Sequence, residues 1–571
     1  MAAMMRLRQR VLDAARPLPQ APHPALARVY AARGALDAAS ITPRLAALLA
    51  PQDFSAMPAA TALLLDVLAR DGRILIVGDY DCDGATGIAV GLRGLRLLGA
   101  RHVDYAVPNR LVHGYGLSPA LVATLAQAPD LLITVDNGIA ALDGVAAARA
   151  RGCRVLVTDH HLPGTALPAA DVILNPNLPG ERFASRALAG VGVMFYLLLG
   201  LRAALRAQGR YRDVAEPDLA PLLDLVALGT VADLVPLDVN NRALVRAGLA
   251  RMRDGRATPG IAALFAVSGR DARVASAADL GFALAPRINA AGRLDDMRIG
   301  IECLLADDAA RATALAAQLH AINAERREVQ AGMLEQALAL ADADHVADVC
   351  GVCLLQPGWH EGVVGLVAAR IKEQLHRPVV AFAPAAGAPG ELRGSARSIP
   401  GLHIRDALAD VAAAHPGLLL RFGGHAMAAG LSLRSADYAR FASAFDDAVR
   451  ARLAPWALQP VLWTDGELQA DEFTLDLARA LRDGGPWGQG FPEPLFEGDF
   501  ACLHWRPLSG GHWRLRLQAL PHGPDLDAVY FQAPGERPPT RMRAAYRLQL
   551  DTWQDRERLQ LLLQHVEAVH L

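Results

Sequence analysis

The sequence predicts a multidomain α/β protein: a parallel-sheet domain and a second α/β domain joined by a long helix, with an all-β module at the C-terminal end. Three observations predict it. Between about residues 72 and 235, short β-rich runs alternate with helical stretches, the pattern of βαβ units on a parallel sheet. Residues 305–343 contain no proline and one glycine and keep helical periodicity throughout, as a helix joining two bodies does. Beyond Pro455 the composition shifts: six of the seven tryptophans lie there, amid alternating segments such as "HWRLRLQAL" and "YRLQLDTW".

A chain of 571 residues is too long for one core. Residues 1–50, rich in Ala, Arg and Pro, are expected to be helical. The first α/β domain takes 51–304, with strands expected at "RILIV" (73–77), "HVDYAV" (102–107), "DLLITV" (130–135), "RVLVT" (154–158) and "DVIL" (171–174). The connecting helix takes 305–343. The second α/β domain takes 344–452, with strands at "DVCGVCLLQ" and "PVVAFAP", and the β-rich module takes 453–571. At 52% hydrophobic and 20% charged the composition is ordinary and globular. The longest apolar run, 191–201, is about half of a bilayer span, so no membrane role is expected. No apolar core of a secretory signal stands at the N-terminus. Six cysteines make no disulfide framework, and Cys350 and Cys353 form an isolated pair read as structural; a cytoplasmic setting fits. Net charge is −2 and Lys372 is the only lysine, so a polyanionic partner would have to meet local or metal-borne positive charge.

Carboxylates mark where such charge would sit. "VGDYDCDGATG" (77–87) places Asp79, Asp81 and Asp83 directly after the first strand, where mutual repulsion disfavours burial without a cation. Asp136 follows "LLITV", and Asp159-His160-His161 follow "RVLVT". In an open parallel sheet, ligands bind beyond the carboxyl ends of the strands. Three strand ends therefore offer acidic or imidazole groups to one crevice, and Asp233, after the apolar run in "GTVADLVPL", is a fourth candidate. Carboxylate oxygens with one or two imidazoles suit Mn²⁺ or Mg²⁺, and five or six ligands exceed the needs of one ion. Two ions sharing a carboxylate would serve metal-assisted phosphoester hydrolysis. An EF-hand loop would need Glu where Val90 stands; no P-loop is present, and "HEGVV" (360–364) lacks the second His of a zincin. The bland alternative is that Asp79–Asp83 cap a turn and Asp159 caps a helix.

"DYDCDG", "VDNG", "TDHH" and "GTVADLVPL", in this order, resemble the four motifs of the DHH phosphoesterase superfamily. "RINAAGRLDD" (287–296), "GWHEGVVGLVAARI" (358–371), "GSARS" (394–398) and "GGHAMAAG" (423–430) resemble its RecJ branch and the DHHA1 domain of that branch. The resemblance implies a DHH catalytic domain, a DHHA1 domain and an OB-like tail. It also implies a 5′→3′ exonuclease specific for single-stranded DNA, releasing mononucleotides in recombination and repair. By position, it divides Asp81 and Asp83 between two metals with Asp79 beside them, makes Asp136 the bridge, and gives His160 and Asp233 to the metals. His161 would meet the scissile phosphate as donor or general acid, with Asp159 beside it among the catalytic candidates. Many DHH enzymes carry a His before the first aspartates; Val77 and Gly78 stand there instead.

Substrate contacts are assigned by the same resemblance to Ser395, Arg397, Gly424 and His425, with His360 nearby. For "GGH" a glycine turn before a helix is the structural alternative. Arg110 could take a terminal 5′-phosphate, and Asn289 and Arg293 could bind phosphates or serve loop-to-helix packing. The long helix would set the two α/β domains as walls of a cleft that admits one strand. Trp505-Arg506 and Trp513-Arg514-Leu-Arg516 give an OB-like module aromatic faces and cations for single strands, unless the tryptophans fill its core; alternation sets Trp513 opposite Arg514 and Arg516. A single-strand-binding protein, a RecQ-type helicase and a monomeric state are the further implications. Two other readings use the same residues: a DHH nano-RNase or phosphatase acting on short oligonucleotides, and a non-catalytic DNA-binding scaffold.

Overall fold

The five β-rich runs of the first α/β region become the strands of one sheet. A computed structural model describes residues 5–11, 18–109, 113–343, 349–533, 535, 537–553 and 556–569, and there the strands are β1 (Ile74–Gly78), β2 (Val103–Ala106), β3 (Leu131–Val135), β4 (Arg154–Thr158) and β5 (Val172–Leu174). All are parallel, in the order β2-β1-β3-β4-β5. Every residue of β3 is buried, as in a strand covered on both faces. The order reverses between β1 and β3, so the chain leaves those two strands in opposite directions and a crevice opens at their carboxyl ends.

The helix Cys82–Leu97 lies flush on this sheet. A Cβ on Gly87 would stand 2.5 Å from Val135, and one on Gly91 2.7 Å from Ile76. Against it packs Gly190–Ala207, which by length and composition could cross a membrane; 67% of it is buried in the protein, the mark of a core helix. The apolar run before Asp233 is a helix as well, Leu223–Ala232, and it packs on Val239–Arg253 so closely that a Cβ on Gly248 would strike the Leu223 carbonyl. The first fifty residues are less helical than expected. Among the described residues there, Arg6–Gln9 are extended and the α-helices are Pro24–Ala31 and Ala38–Ile41, since Pro19, Pro22 and Pro43 remove backbone donors.

The chain divides into two compact units. One comprises 9–292, 296–320 and 463–571, and the other 1–8, 293–295 and 321–462. The expected connecting helix is Ala309–Ala343, 35 residues long, and the division falls inside it. The second unit holds a mixed sheet of β6 (Val352–Leu355), β7 (Val379–Pro384), β8 (Glu391–Arg397), β9 (Arg421–Gly424) and β10 (Ala428–Arg434), ordered β9-β10-β8-β7-β6. Phe382, Leu392 and Leu433 pack beneath it with Phe441 and Phe445. On the other face Met333 and Ala337 of the long helix and the helix Val364–Leu375 cover β6 and β7. "GGHAMAAG" is a β-hairpin between β9 and β10, not a glycine turn before a helix: its small residues continue as a strand because β8 pairs with them.

The C-terminal module is a closed barrel of β11 (Phe496–Leu508), β12 (His512–Ala519), β13 (Asp525–Tyr530), β14 (Arg541–Trp553) and β15 (Arg556–Ala568), in the order β11-β12-β13-β15-β14. A parallel β13–β15 pair closes it, the five-stranded OB-like form expected. Trp513 is buried against Tyr530 and Trp505, so it fills the core and alternation turns Arg514 and Arg516 outward. The Gly248→Ala substitution should lower unfolding free energy by about 1–3 kcal/mol through overpacking, read as a lower urea midpoint at unchanged slope.

Candidate metal centre

After Gly78 the chain turns into the Cys82–Leu97 helix, and Asp81 caps it by accepting the Gly84 N–H at 3.0 Å. The capping reading thus holds for Asp81, which nonetheless offers a donor atom to the cluster. A Cβ on Gly84 would lie 2.5 Å from the Asp79 carbonyl, so the turn closes only around glycine. Asp136 takes a left-handed backbone, φ 61°, a conformation Asp tolerates. Gly190 lies against it so closely that a side chain there would collide. Asp159, His160 and His161 leave β4 on the next strand.

These residues converge. His160 Nε2 is 3.0 Å from Asp136 Oδ1, 3.4 Å from Asp233 Oδ2 and 3.9 Å from Asp83 Oδ2. Three sets of donor atoms each lie within 4.8 Å of one another: Asp79, Asp81 and Asp136; Asp83, His160 and Asp233; Asp136, His160 and His161. Asp136 belongs to two of the sets, as a bridging carboxylate would. Carboxylate oxygens with two imidazoles among the three sets fit Mn²⁺ or Mg²⁺ better than thiol-seeking metals.

Backbone donors hold the carboxylates in place. Asp83 accepts the N–H groups of Gly190 and Val191 at 2.6 and 2.9 Å, at the N-terminus of Gly190–Ala207 where helix polarity favours an anion. Asp159 accepts from Ile139, His160 and His161 N–H at 2.9, 2.7 and 3.1 Å, and its Oδ1 also lies 2.8 Å from His161 Nδ1. Oδ2 takes the Ile139 N–H, and Oδ1 is spent on orienting the histidines. His161 turns Nε2 toward the Tyr115 hydroxyl at 3.4 Å.

Burial and mutual repulsion raise the pKa values of Asp83, Asp136 and Asp233. Asp83 is pushed up to about 7 by burial and by Asp81, and burial with neighbouring carboxylates lifts Asp136 and Asp233 well above the usual range. Burial works against the imidazolium of His161, yet the bond to Asp159 raises it to about 9. Asp159 is itself buried, and the same bond keeps its pKa below the ordinary value.

The structure therefore assembles Asp79, Asp81, Asp83, Asp136, Asp159, His160, His161 and Asp233 in one crevice. Asn289 lies beside it, but its side-chain carbonyl accepts the Cys82 N–H at 2.7 Å and so anchors the aspartate turn. Arg110 lies outside the described residues. The other substrate candidates gather in the second unit, around the start of the Val364–Leu375 helix. Arg293 donates to the Gly362 carbonyl at 3.1 Å, His360 Nδ1 accepts the Gly362 N–H at 3.1 Å, and a Cβ on Gly365 would stand 2.8 Å from both Ser395 and Arg397. Arg397 pairs in register with Ala428, whose carbonyl accepts the His425 N–H; Gly424 precedes that turn.

Sequence reasoning missed several residues. Asn137 ties the ends of β1 and β3 through the Val77 and Val135 carbonyls, and Asn175 and Asn177 hold the carbonyls of His161 and His160 at 2.9 and 2.6 Å. The latter two follow β5, so the strand-end rule applied to a fifth strand finds them; nothing in sequence marks Gly190. Register also aligns Arg421, Ser432 and Arg393 in one row and Gly423, Gly430 and Ser395 in the next row on the same face. A Cβ on Gly423 or Gly430 would meet nothing within 4 Å, leaving bare backbone between arginines.

A parallel sheet with aspartates and paired histidines beyond adjoining strand ends defines a DHH-type phosphoesterase domain. The model of the DHH family, N-terminal domain, matches residues 73–230, that of the DHHA1 domain 346–451, and that of the RecJ OB domain 464–565. The chain belongs to the RecJ family. It is 49% identical over 551 residues to the Single-stranded-DNA-specific exonuclease RecJ of Dickeya dadantii, covering 95% of each chain. Two crystal structures of RecJ from Thermus thermophilus are similar throughout. The complex with Mn²⁺ has TM-score 0.81 at 31% identity, covering 99% of this chain and 80% of that one; the complex with Mg²⁺ has 0.76 at 29%, covering 99% and 79%.

A proton on Asp83 binds more tightly in the fold than in the unfolded chain, so its contribution to stability is full below the ordinary carboxylate pKa and is lost as pH rises through about 7. His161, held until about 9, acts in the same direction. Metal-free protein should therefore lose melting temperature from pH 5 to pH 8, and saturating Mn²⁺ should remove that loss, read by thermal unfolding in EDTA and in Mn²⁺.

Proposed function

We propose that this chain is a metal-dependent exonuclease specific for single-stranded DNA. It hydrolyses phosphodiesters from the 5′ end, releases mononucleotides, and serves DNA recombination and repair. The observation that carries the reading is the convergence of five aspartates, three of them buried, and two histidines on one crevice, in a chain that matches a RecJ relative over 95% of its length. Asp81 with Asp79 on one side, and Asp83, His160 and Asp233 on the other, would hold two Mn²⁺ or Mg²⁺ ions with Asp136 between them. When bound, such a pair supplies hydroxide near neutral pH and neutralises charge on a phosphoryl centre.

The remaining chemistry falls to the protein. His161, kept protonated at neutral pH by Asp159, is the donor to the scissile phosphate or its leaving oxygen, and Asp159 positions it. Arg110 is the candidate for the terminal 5′-phosphate. In the second unit Ser395, Arg397, Gly424, His425, His360 and Arg293 would meet the sugar-phosphate backbone, with bare glycine rows allowing close approach. Contacts of this kind grip a strand without reading its bases. The outward Arg506, Arg514 and Arg516 of the barrel extend the same logic, and Asn289 acts through the aspartate turn. The proposal extends to a monomer in the cytoplasm working beside a single-strand-binding protein and a RecQ-type helicase; resemblance alone supports those details.

The test uses single-stranded and blunt duplex DNA of one sequence, labelled at either end, with Mn²⁺, Mg²⁺ or EDTA. Metal-dependent loss of the single strand from its 5′ end, with the duplex spared, is expected; degradation of only short fragments would overturn the polymer reading in favour of a nano-RNase. Asp136→Ala should cut the rate at least about 1000-fold with strand binding retained. His161→Ala should cut it about 10²–10⁴-fold with Mn²⁺ affinity near wild type, measured by single-turnover cleavage and metal titration.

A further inference from the structure

Asp233 is held unlike Asp83 and Asp159. Asp83 takes two backbone N–H groups and Asp159 three, whereas among the described residues no backbone N–H donates to the Asp233 carboxylate. Its side chain is 22% exposed, against 0% for Asp83 and 3% for Asp136. It caps the end of Leu223–Ala232, and the next residue, Leu234, is an exposed leucine in the left-handed region at φ 59°. A branched side chain adopts that backbone only when the chain on either side is fixed. Where Asp233 sits therefore depends on what holds the arm after it.

That arm is gripped from a distant part of the sequence. Leu237 N–H donates to the Gln489 carbonyl at 2.7 Å. A Cβ on Gly488 would stand 2.7 Å from Leu237 Cδ1, and one on Gly490, at φ 72°, 3.2 Å from Pro236. From the other side Asn241 holds the Pro236 carbonyl at 2.9 Å. The loop that makes the first set of contacts is itself braced. Trp487 and Phe491 stack at 5.2 Å with Tyr30 beside them, the Arg242 guanidinium lies 3.8 Å over the Phe491 ring, and Gly488 and Phe491 exchange backbone bonds. Trp487 Nε1 donates to the Leu481 carbonyl and Arg33 Nε to that of Pro492, each at 2.8 Å. Joining a helix to the barrel requires none of these contacts with the arm.

We propose that the Trp487–Phe491 loop, which leads into the C-terminal barrel, is a positioning element of the metal centre: through Pro236 and Leu237 it sets Asp233 opposite His160. The loop contributes no donor atom to the three ligand sets and acts only through the arm. This inference rests on the metal reading given under Proposed function. It assigns the tail a part in catalysis separate from any grip on DNA.

The experiment titrates full-length protein with Mn²⁺ in the absence of DNA, following free Mn²⁺ by electron paramagnetic resonance, and then measures cleavage rate against Mn²⁺ concentration. Gly488→Val should weaken one of the bound ions about 10–100-fold, and the rate should recover at raised Mn²⁺. Leu515→Ala, a buried barrel residue away from the arm, serves as a control for lost stability and should leave the titration at wild type. Gly488→Ala keeps the test decisive if the valine variant does not fold: it should weaken Mn²⁺ binding, and adding Leu237→Val, which removes the methyl that the new side chain meets, should restore it. Wild-type titrations in the Gly488 variants, or equal shifts in the Leu515→Ala control, would overturn the proposal. Absence of Mn²⁺ binding by the wild type would overturn the metal reading and this inference with it, and the wild-type titration alone reveals that case.

Discussion

Everything at the catalytic end of the sheet answers one electrostatic problem, the crowding of Asp79, Asp81, Asp83, Asp136 and Asp233 with only two imidazoles among them. Removed from water, such charges repel strongly. The fold meets this in layers. N–H groups at helix N-termini donate to Asp83 and Asp81, Asp159 and His161 form their own ion pair, and the unrelieved repulsion appears as the raised pKa values of Asp83, Asp136 and Asp233. A structure carrying this strain is poised for divalent cations. It sacrifices stability in the metal-free state for a site that needs little rearrangement on loading.

Glycines are the other half of that arrangement. Gly84, Gly190 and Gly229 lie where a side chain would displace Asp79, Asp136 or Asp83. Gly190 and Gly84 also donate their N–H groups to Asp83 and Asp81, so that backbone does the work of cations.

Much of this was legible in the sequence because strand ends are local events. The apolar runs that became β1 to β5 were bounded by the residues that form the crevice, and the doubly wound order puts those ends together whatever the loops do. The barrel was legible through its period-two pattern, which also set Trp513 inward and Arg514 outward. What escaped were contacts between distant segments. Asn175 and Asn177 brace the histidines from another strand, and the hairpin at Gly424–Ala428 takes its strand form from pairing with β8, which overrode the helical tendency of its alanines. The N-terminal fifty residues misled for a simpler reason: alanine and arginine favour helix on average, but the interspersed prolines cut the helices short.

The closed barrel at the C-terminal end has a consequence for recognition. A sheet bent back on itself through the parallel β13–β15 pair keeps its main-chain donors and acceptors to itself, so it has no free edge to which another extended chain could add. Whatever this module engages, it must do so with side chains standing off the wall, and the exposed Arg506, Arg514, Arg516, Arg541 and Arg558 are cationic. Guanidinium groups keep their charge throughout the pH range in which the aspartates titrate. Its grip should therefore respond to ionic strength and stay indifferent to acidity, so that pH acts on the scissors and salt on the hand that feeds them.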